Sequence, residues 1–421
     1  VYRLDWLEQL KLRVVASPNA RQMRLVSPIV WSLGLTSLLT DISTEMVSSA
    51  LPTYLVLHLH LSPLQYGIID GLYNGFALAL LGVVAGIVSD RLQRHKEVAA
   101  FGYALSGVCK LLLLTVGTAW GGIAAVLGLE RAGKGIRAAP RDALISFCTP
   151  PEAIASAFAV HRGLDAGGAV LGPIVAFIIL SQMPGAFDVL WVASFLFAVL
   201  GFAVLWMFVP RPHQQLIATN ADAQINPLRI PAVLLSSSRL RALVIAGTLL
   251  SIATISDGFL YLQLHERAGT DASLVPIYYV GTACFYMIFS IPVGLAADRW
   301  GRARILLGGY LALGAVYVLL FAMTGPALLL QVGCLVLMGI YYAATEGMLM
   351  AASSALIPAH ARTSGLALMG AALGVGKMIS SIAFGWLWSS FGLPAAVSVF
   401  GVALAVMVLA AGIGFQKTRR G

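Results

Sequence analysis

Long apolar runs separated by short polar connectors fill the chain from end to end. A helix needs about 20 apolar residues to cross a bilayer. Runs of that length fall at roughly 28–58, 63–90, 97–116, 119–147, 153–180 and 187–209. A polar stretch over 210–239 follows, and further runs fall at roughly 240–267, 272–298, 303–323, 327–357, 360–390 and 394–415. The pattern predicts an all-α membrane protein with twelve transmembrane helices, since backbone polar groups in hydrocarbon have to be satisfied within their own segment. It divides the chain into an amphipathic basic segment (1–25), a six-helix bundle (26–209), a central loop (210–239), a second six-helix bundle (240–415) and a tail (416–421).

Composition sharpens this reading. Of 421 residues, 59% are hydrophobic and 11% charged, where a soluble domain carries about 25% charged residues. The net charge of +9 does not point to nucleic acid, because the basic residues lie mainly in short connectors. Most Lys and Arg fall in the N-terminal segment, the even-to-odd connectors, the central loop and the tail, whereas Arg267 lies on the other side. That asymmetry places both termini and the central loop in the cytoplasm, with a bacterial inner membrane as the expected location. Cys109, Cys148, Cys284 and Cys334 sit inside apolar runs without metal-ligand spacing and read as small core residues. No Walker loop, metal cluster or appended soluble domain is evident, so an enzyme and a resident cofactor are not expected.

One charged turn is written twice. "GIVSDRLQRHK" carries Gly86, Asp90, Arg91 and Arg94 between the second and third runs. "GLAADRWGRAR" repeats the spacing with Gly294, Asp298, Arg299 and Arg302 between the eighth and ninth, and 298 − 90 = 208 residues separate the two aspartates. A parallel repeat of two halves is the architecture of a rocking transporter. These turns resemble the loop motif of the major facilitator superfamily and its repeat. "RAGKG" from Arg131 resembles the family's Arg-x-x-x-Gly motif, and "GAVLGP", with Gly168, Gly172 and Pro173, resembles the core of its antiporter motif. "DISTEM", "GKGIRAAPRDALI" and "YYAATEG" resemble a bacterial subgroup without an assigned substrate. The resemblance implies that Asp90 faces the positive end of a neighbouring helix, that Gly86 allows close approach, and that Arg94 pairs with Asp142. Arg141 backs the same turn. Such contacts would latch the halves together in the outward-facing state and release them on rocking.

Charges inside the spans are costly and usually face an interior cavity. Asp41 and Glu45 lie four apart, on one helix face. Glu130, Lys134, Arg137 and Arg141 form a stripe at helical spacing. His161, Arg162 and Asp165 share a span with the packing glycines, Asp257 and Glu346 lie in the seventh and tenth, and Lys377 in the eleventh can pair with Glu346. In the family fold helices 1, 4, 7 and 10 line the cavity while 3, 6, 9 and 12 face lipid. Lys110 departs from that rule and is expected to snorkel or to reach a neighbouring helix. An acid whose cationic partner changes as the halves rock can load and release a proton. Asp41, Glu45, Glu130 and Asp257 are the candidates, with Arg131 and Arg137 as partners. The expected function is therefore a monomeric, proton-coupled exporter of a drug-like or amphipathic small metabolite, driven by the proton gradient. The alternatives are a symporter importing an organic anion or siderophore, and a lipid-translocating protein on the same fold.

Overall fold

The computed structural model describes residues 26–76, 85, 88–89, 91–92, 94–150, 153–210, 238–322, 328–346, 348–354, 357 and 362–420. Gly86 and Asp90, the segment 1–25 and most of the central loop lie outside them. The described secondary structure is helical throughout. Helix α1 (Pro28–Pro52) runs into a π-helical turn at Thr53–His58, and α2 (Pro63–Gly71) into another at Leu72–Phe76. Next come α3 (His95–Thr115), α4 (Trp120–Phe147), α5 (Ile154–Gln182) and α6 (Phe187–Phe208). Beyond the central loop lie α7 (Ser238–Ile252), α8 (Asp257–Ala268), α9 (Val275–Trp300) and α10 (Arg302–Ala322). The chain ends with α11 (Leu328–Thr345), α12 (Met348–Ser354), α13 (Arg362–Phe391) and α14 (Leu393–Arg420).

Among the described residues nine helical stretches are long and apolar enough to cross a membrane. Helices α1 and α4 are not among them, because both carry polar and charged residues along their length. In α1 the polar residues Thr36, Ser37, Thr40, Asp41, Ser43 and Thr44 are all buried, so its polar side faces protein and not lipid. The opposite case is α6 and α14, whose Leu196, Met207, Phe208, Val402 and Leu409 lie on the outside, as lipid-facing helices require.

The packing scheme is written twice. Helix α1 packs on α5 and α6, and α3 on α4 and α6; in the same way α7 packs on α13 and α14, and α10 on α11 and α14. Small residues set the closest approaches. A methyl group on Gly133 of α4 would stand 2.7 Å from the Gly102 carbonyl oxygen of α3, and one on Gly172 of α5 would stand 2.8 Å from the Ile42 carbonyl oxygen of α1. Gly168 meets α1 at Leu38 and Asp41 in the same way. The two sets of helices meet mainly where α2 lies along α13 and α5 along α9.

One expected span is interrupted among the described residues: the run at 240–267 breaks between α7 and α8. At this break the backbone groups freed from the helix find side chains instead. Ile255 N–H donates to the Tyr317 hydroxyl at 2.8 Å, and the Ser380 hydroxyl donates to the Thr254 carbonyl. Irregular backbone at membrane depth is tolerated where such partners exist and where it lines a cavity.

The cysteines are free, but they are not uniformly core residues. Cys109 and Cys334 are buried, Cys148 is half-buried, and Cys284 is exposed on α9, near Met287 and Ile288 on the outer surface. None is tied to another group of the site. Replacing all four by Ala is expected to leave transport within about twofold of wild type, with a modest stability cost of about 1 kcal/mol at each buried site. A well-folded cysteine-free variant without activity would contradict this.

Candidate functional site

The site is built around α1 and α4. Asp41 and Glu45, one turn apart on α1, face Lys134 on α4, whose ammonium lies 3.5 Å from Asp41 and 3.4 Å from Glu45. Arg137, one turn further along α4, donates to the Asp41 carboxylate at 3.2 Å, and its guanidinium lies 4.5 Å from the centre of the Tyr103 ring. Asp41 and Arg137 are buried, while Glu45 and Lys134 are half-exposed to the interior space. The close α1–α5 contact at Gly168 and Gly172 falls at Asp41 and Glu45 themselves, so the backbone carrying both acids is held firmly from behind.

A second cluster sits one turn towards the start of α1. The Ser37 hydroxyl donates to Asp165 of α5 and accepts from Arg141 of α4 at 3.2 Å. Arg141 also reaches Asp142 at 3.0 Å and Asp165 at 3.9 Å. This corrects the expected pairing of Arg94 with Asp142. The Asp142 carboxylate is taken by Arg141, its own neighbour in sequence, whereas Arg94 is exposed. A partner already on the same helix needs no further ordering of the chain and wins over a distant one.

Glu130 turns away from the predicted stripe. It is 2% exposed and accepts from Lys110 at 2.9 Å, Ser106 at 2.8 Å and Thr44 at 3.3 Å, all on one oxygen. Its other oxygen lies 3.7 Å from Arg131 Nε. Lys110 therefore reaches a neighbouring helix and does not snorkel. The stripe Glu130–Lys134–Arg137–Arg141 is continuous in sequence, but its first member faces α3.

The interior holds a cavity of about 410 Å³. Glu45, Arg131, Asp257, Glu346 and Lys377 line it, together with the rings of Tyr66, Tyr73, Tyr279, Tyr341 and Tyr342. Two adjoining spaces share Tyr342 and Glu346 with it; one extends past Lys134, Arg162 and Asp165, the other past Tyr310 and Lys377. Asp257 begins α8, at the break, and accepts the Tyr342 hydroxyl. Glu346 directly follows α11. The predicted Glu346–Lys377 ion pair is not formed; both side chains are exposed to the cavity. His161 is buried in α5, apart from these spaces, with Nε2 unpaired. Pro173 borders the space that contains Asp165.

One end of the interior is shut by contacts between the two sets of helices. Leu64 N–H donates to the Ser389 hydroxyl at 3.0 Å, and the Ser381 hydroxyl donates to Asp70 at 2.6 Å. Asp70 also accepts from Asn74 at 2.9 Å. Tyr66 and Phe259 meet edge to face with ring centres 4.7 Å apart. Gly67 of α2 and Gly75 of the π-helical turn after it lie directly against backbone of α13 at Ser381 and Gly374. At the other charged turn, Asp298, Arg299 and Arg302 are exposed at the end of α9, and open space lies beside Gly294. Arg91 is likewise exposed.

The sequence pointed to most of these side chains by their cost in a membrane. It missed Asp70 and Ser381 as a contact between halves, and it missed the helix break between α7 and α8. The signal for the break was present in "ISDG", a Ser-Asp start to a helix in the middle of an apolar run.

The chain matches the family model described as Major Facilitator Superfamily over residues 33–285 and 264–420. It is 30% identical over 414 residues to an uncharacterized MFS-type transporter of Methanocaldococcus jannaschii, covering 94% of this chain and 98% of that one. An uncharacterized protein of Mycobacterium tuberculosis is 27% identical over 362 residues, covering 84% and 85%. In fold, the chain is similar to the nucleoside transporter NupG, with a TM-score of 0.74 at 18% identity, covering 92% of this chain and 100% of that one. It is similar too to the peptide transporter POT solved in complex with sulfate, with a TM-score of 0.76 at 14% identity, covering 96% and 99%.

Proposed function

This chain belongs to the major facilitator superfamily, and on that premise we propose that it is a proton-coupled antiporter that exports a small amphipathic metabolite. The observation carrying this reading is Lys134, one ammonium suspended between Asp41 and Glu45 at nearly equal distances. A cation shared by two acids can follow one and release the other when α1 and α4 shift. The released carboxylate then takes up a proton. Glu45 lines the same interior as Asp257 and Glu346. A carboxylate there holds a proton or the cationic end of a substrate, but not both, and that mutual exclusion is the logic of exchange.

The shut end lies at the loops 59–62 and 269–274. With both termini in the cytoplasm, as the basic connectors suggest, this is the outer end, and the cavity communicates with the cytoplasm. That is the state in which an exporter receives its substrate. The protein works as a monomer, since each chain contains both halves of the pathway.

The test is transport in proteoliposomes with and without an imposed pH gradient, screened over small amphipathic metabolites. A gradient should raise accumulation of the substrate on the acidic side by about tenfold for each unit of pH at one-to-one exchange. Transport that ignores the gradient would remove the proton from the mechanism and leave a uniporter or a lipid carrier.

A further inference from the structure

Arg131 is the most conspicuous unsatisfied group in the interior. The residue is 7% exposed and lines the cavity. Its guanidinium lies over the Tyr73 ring at 3.5 Å from the ring centre. Its Nε is buried without a hydrogen bond, and among the described residues no hydrogen bond ends on its terminal nitrogens. A guanidinium presents five N–H groups in a rigid plane, and leaving the buried Nε–H without a hydrogen bond costs free energy. The geometry matches a planar oxyanion gripped by two parallel hydrogen bonds.

The surroundings keep the charge of Arg131 available. Glu130, its acidic neighbour, is already neutralised by Lys110 and filled on one oxygen by Lys110, Ser106 and Thr44. The three charges Lys110, Glu130 and Arg131 sum to +1, and of the three only Arg131 is among the residues lining the cavity. Lys110 thus explains its place in an otherwise uncharged span. It is a positioning residue that pins Glu130, whose second oxygen lies 3.7 Å from Arg131 Nε.

The opposite wall has the other sign. Asp257 and Glu346 face one cation, Lys377, in the same cavity. Asp257 is oriented by the Tyr342 hydroxyl. Asp70 adds a further acid, already held by Ser381 and Asn74, and Glu45 is occupied with Lys134. A purely anionic ligand would be repelled by this wall, and a purely cationic one would leave the terminal nitrogens of Arg131 without a hydrogen bond. We propose that the cavity takes a small zwitterion, with its carboxylate on Arg131 and its ammonium group at Asp257 and Glu346. The idea rests on the antiport reading for its role in transport, whereas binding alone tests it. A cavity of about 410 Å³, ringed by tyrosines, has room for an aromatic or apolar body between the two charged ends.

The experiment measures binding to the purified protein in detergent, by thermal stabilisation and calorimetry, with three probes of one shape. L-Phenylalanine carries both charged ends, phenethylamine lacks the carboxylate, and 3-phenylpropionate lacks the ammonium. The zwitterion should bind at least about tenfold more tightly than either of the others. Arg131→Lys should weaken phenylalanine and 3-phenylpropionate by about thirtyfold and leave phenethylamine unchanged. Glu346→Gln should do the converse. Lys110→Met, remote from the ligand, should lower the preference for the carboxylate probes by about fivefold, a selective change that a general loss of packing would not produce. Absence of phenylalanine binding, equal binding of the three probes, or a uniform loss in all variants overturns the proposal. Selective binding in a protein that moves nothing across proteoliposomes would leave the zwitterion site standing and remove the transport reading instead.

Discussion

Asp41→Asn and Glu45→Gln are each expected to abolish gradient-driven accumulation, by at least about a hundredfold, while substrate exchange and binding persist. The reason lies in charge balance at α1 and α4. In the protein as it stands, Asp41 and Glu45 face Lys134 and Arg137, two negative charges against two positive. The group is neutral as a whole, so it can be carried at membrane depth without a large desolvation cost. Adding one proton to it creates a net cation, which is favourable only when substrate or movement relocates Lys134. Removing one acid permanently leaves that net cation in every state. The site then has no proton to exchange, and the remaining acid is locked to both cations by an attraction that low dielectric makes strong. Flux driven by a pH gradient should vanish, while counterflow of labelled against unlabelled substrate continues at a reduced rate. Wild-type accumulation in both variants would move the proton to Asp257, the other acid at the cavity with a single direct partner.

The second large effect is expected at Gly67. A methyl group there would run into the Ser381 carbonyl oxygen, and neither backbone can swing aside as a side chain would. Overpacking of this kind costs about 1–3 kcal/mol, which corresponds to about a five- to hundredfold change in an equilibrium. The clash exists only while α2 touches α13. Gly67→Ala should therefore leave the fold intact and shift the protein towards the state open at the now shut end. A cysteine placed at Ile69, 1% exposed and lining the cavity, reports this in a cysteine-free background. In oriented proteoliposomes its reaction with an impermeant maleimide added at that end should speed up by about tenfold or more. Gly172→Ala is the control, because α1 and α5 belong to one packed set and stay together. It should lower Tm without altering the labelling. Unchanged labelling in a stable Gly67→Ala protein would show that α2 and α13 do not part during the cycle.

Much of this architecture could be read from the chain because a bilayer imposes strict requirements. About 20 apolar residues are needed for each crossing, so the positions of most helices follow from run length. Charges in the apolar runs stand out for the same reason, and Asp41, Glu45, Arg131, Lys134, Asp257, Glu346 and Lys377 do border the interior spaces. Partners were harder to read than positions. Arg94 and Asp142 made a plausible pair by helix number, but Arg141 lies one peptide from Asp142 and takes it. Lys110 and Glu130 are 20 residues apart on adjacent helices, and no periodicity within either helix announces that they meet. Cys284 shares an apolar run with buried residues yet faces outward, since a helix apolar on all sides gives no indication of which side is which. The contact of Asp70 with Ser381 spans 311 residues and depends on how the two bundles lean, which composition does not encode.

The break between α7 and α8 bears on how the protein is made. Its exposed backbone groups are satisfied by Tyr317, on α10, and by Ser380, on α13. Both residues leave the ribosome well after residues 253–256 have entered the membrane. Bare peptide groups in hydrocarbon cost several kcal/mol each, so the newly inserted segment 240–268 is most stable as one unbroken helix. The break forms when α10 and α13 dock, and Asp257 reaches its place at the head of α8 with it. The acidic wall of the cavity is thus a late product of assembly, completed only once α13 has been synthesised. A chain truncated before Ser380 would hold a continuous seventh helix in place of that wall.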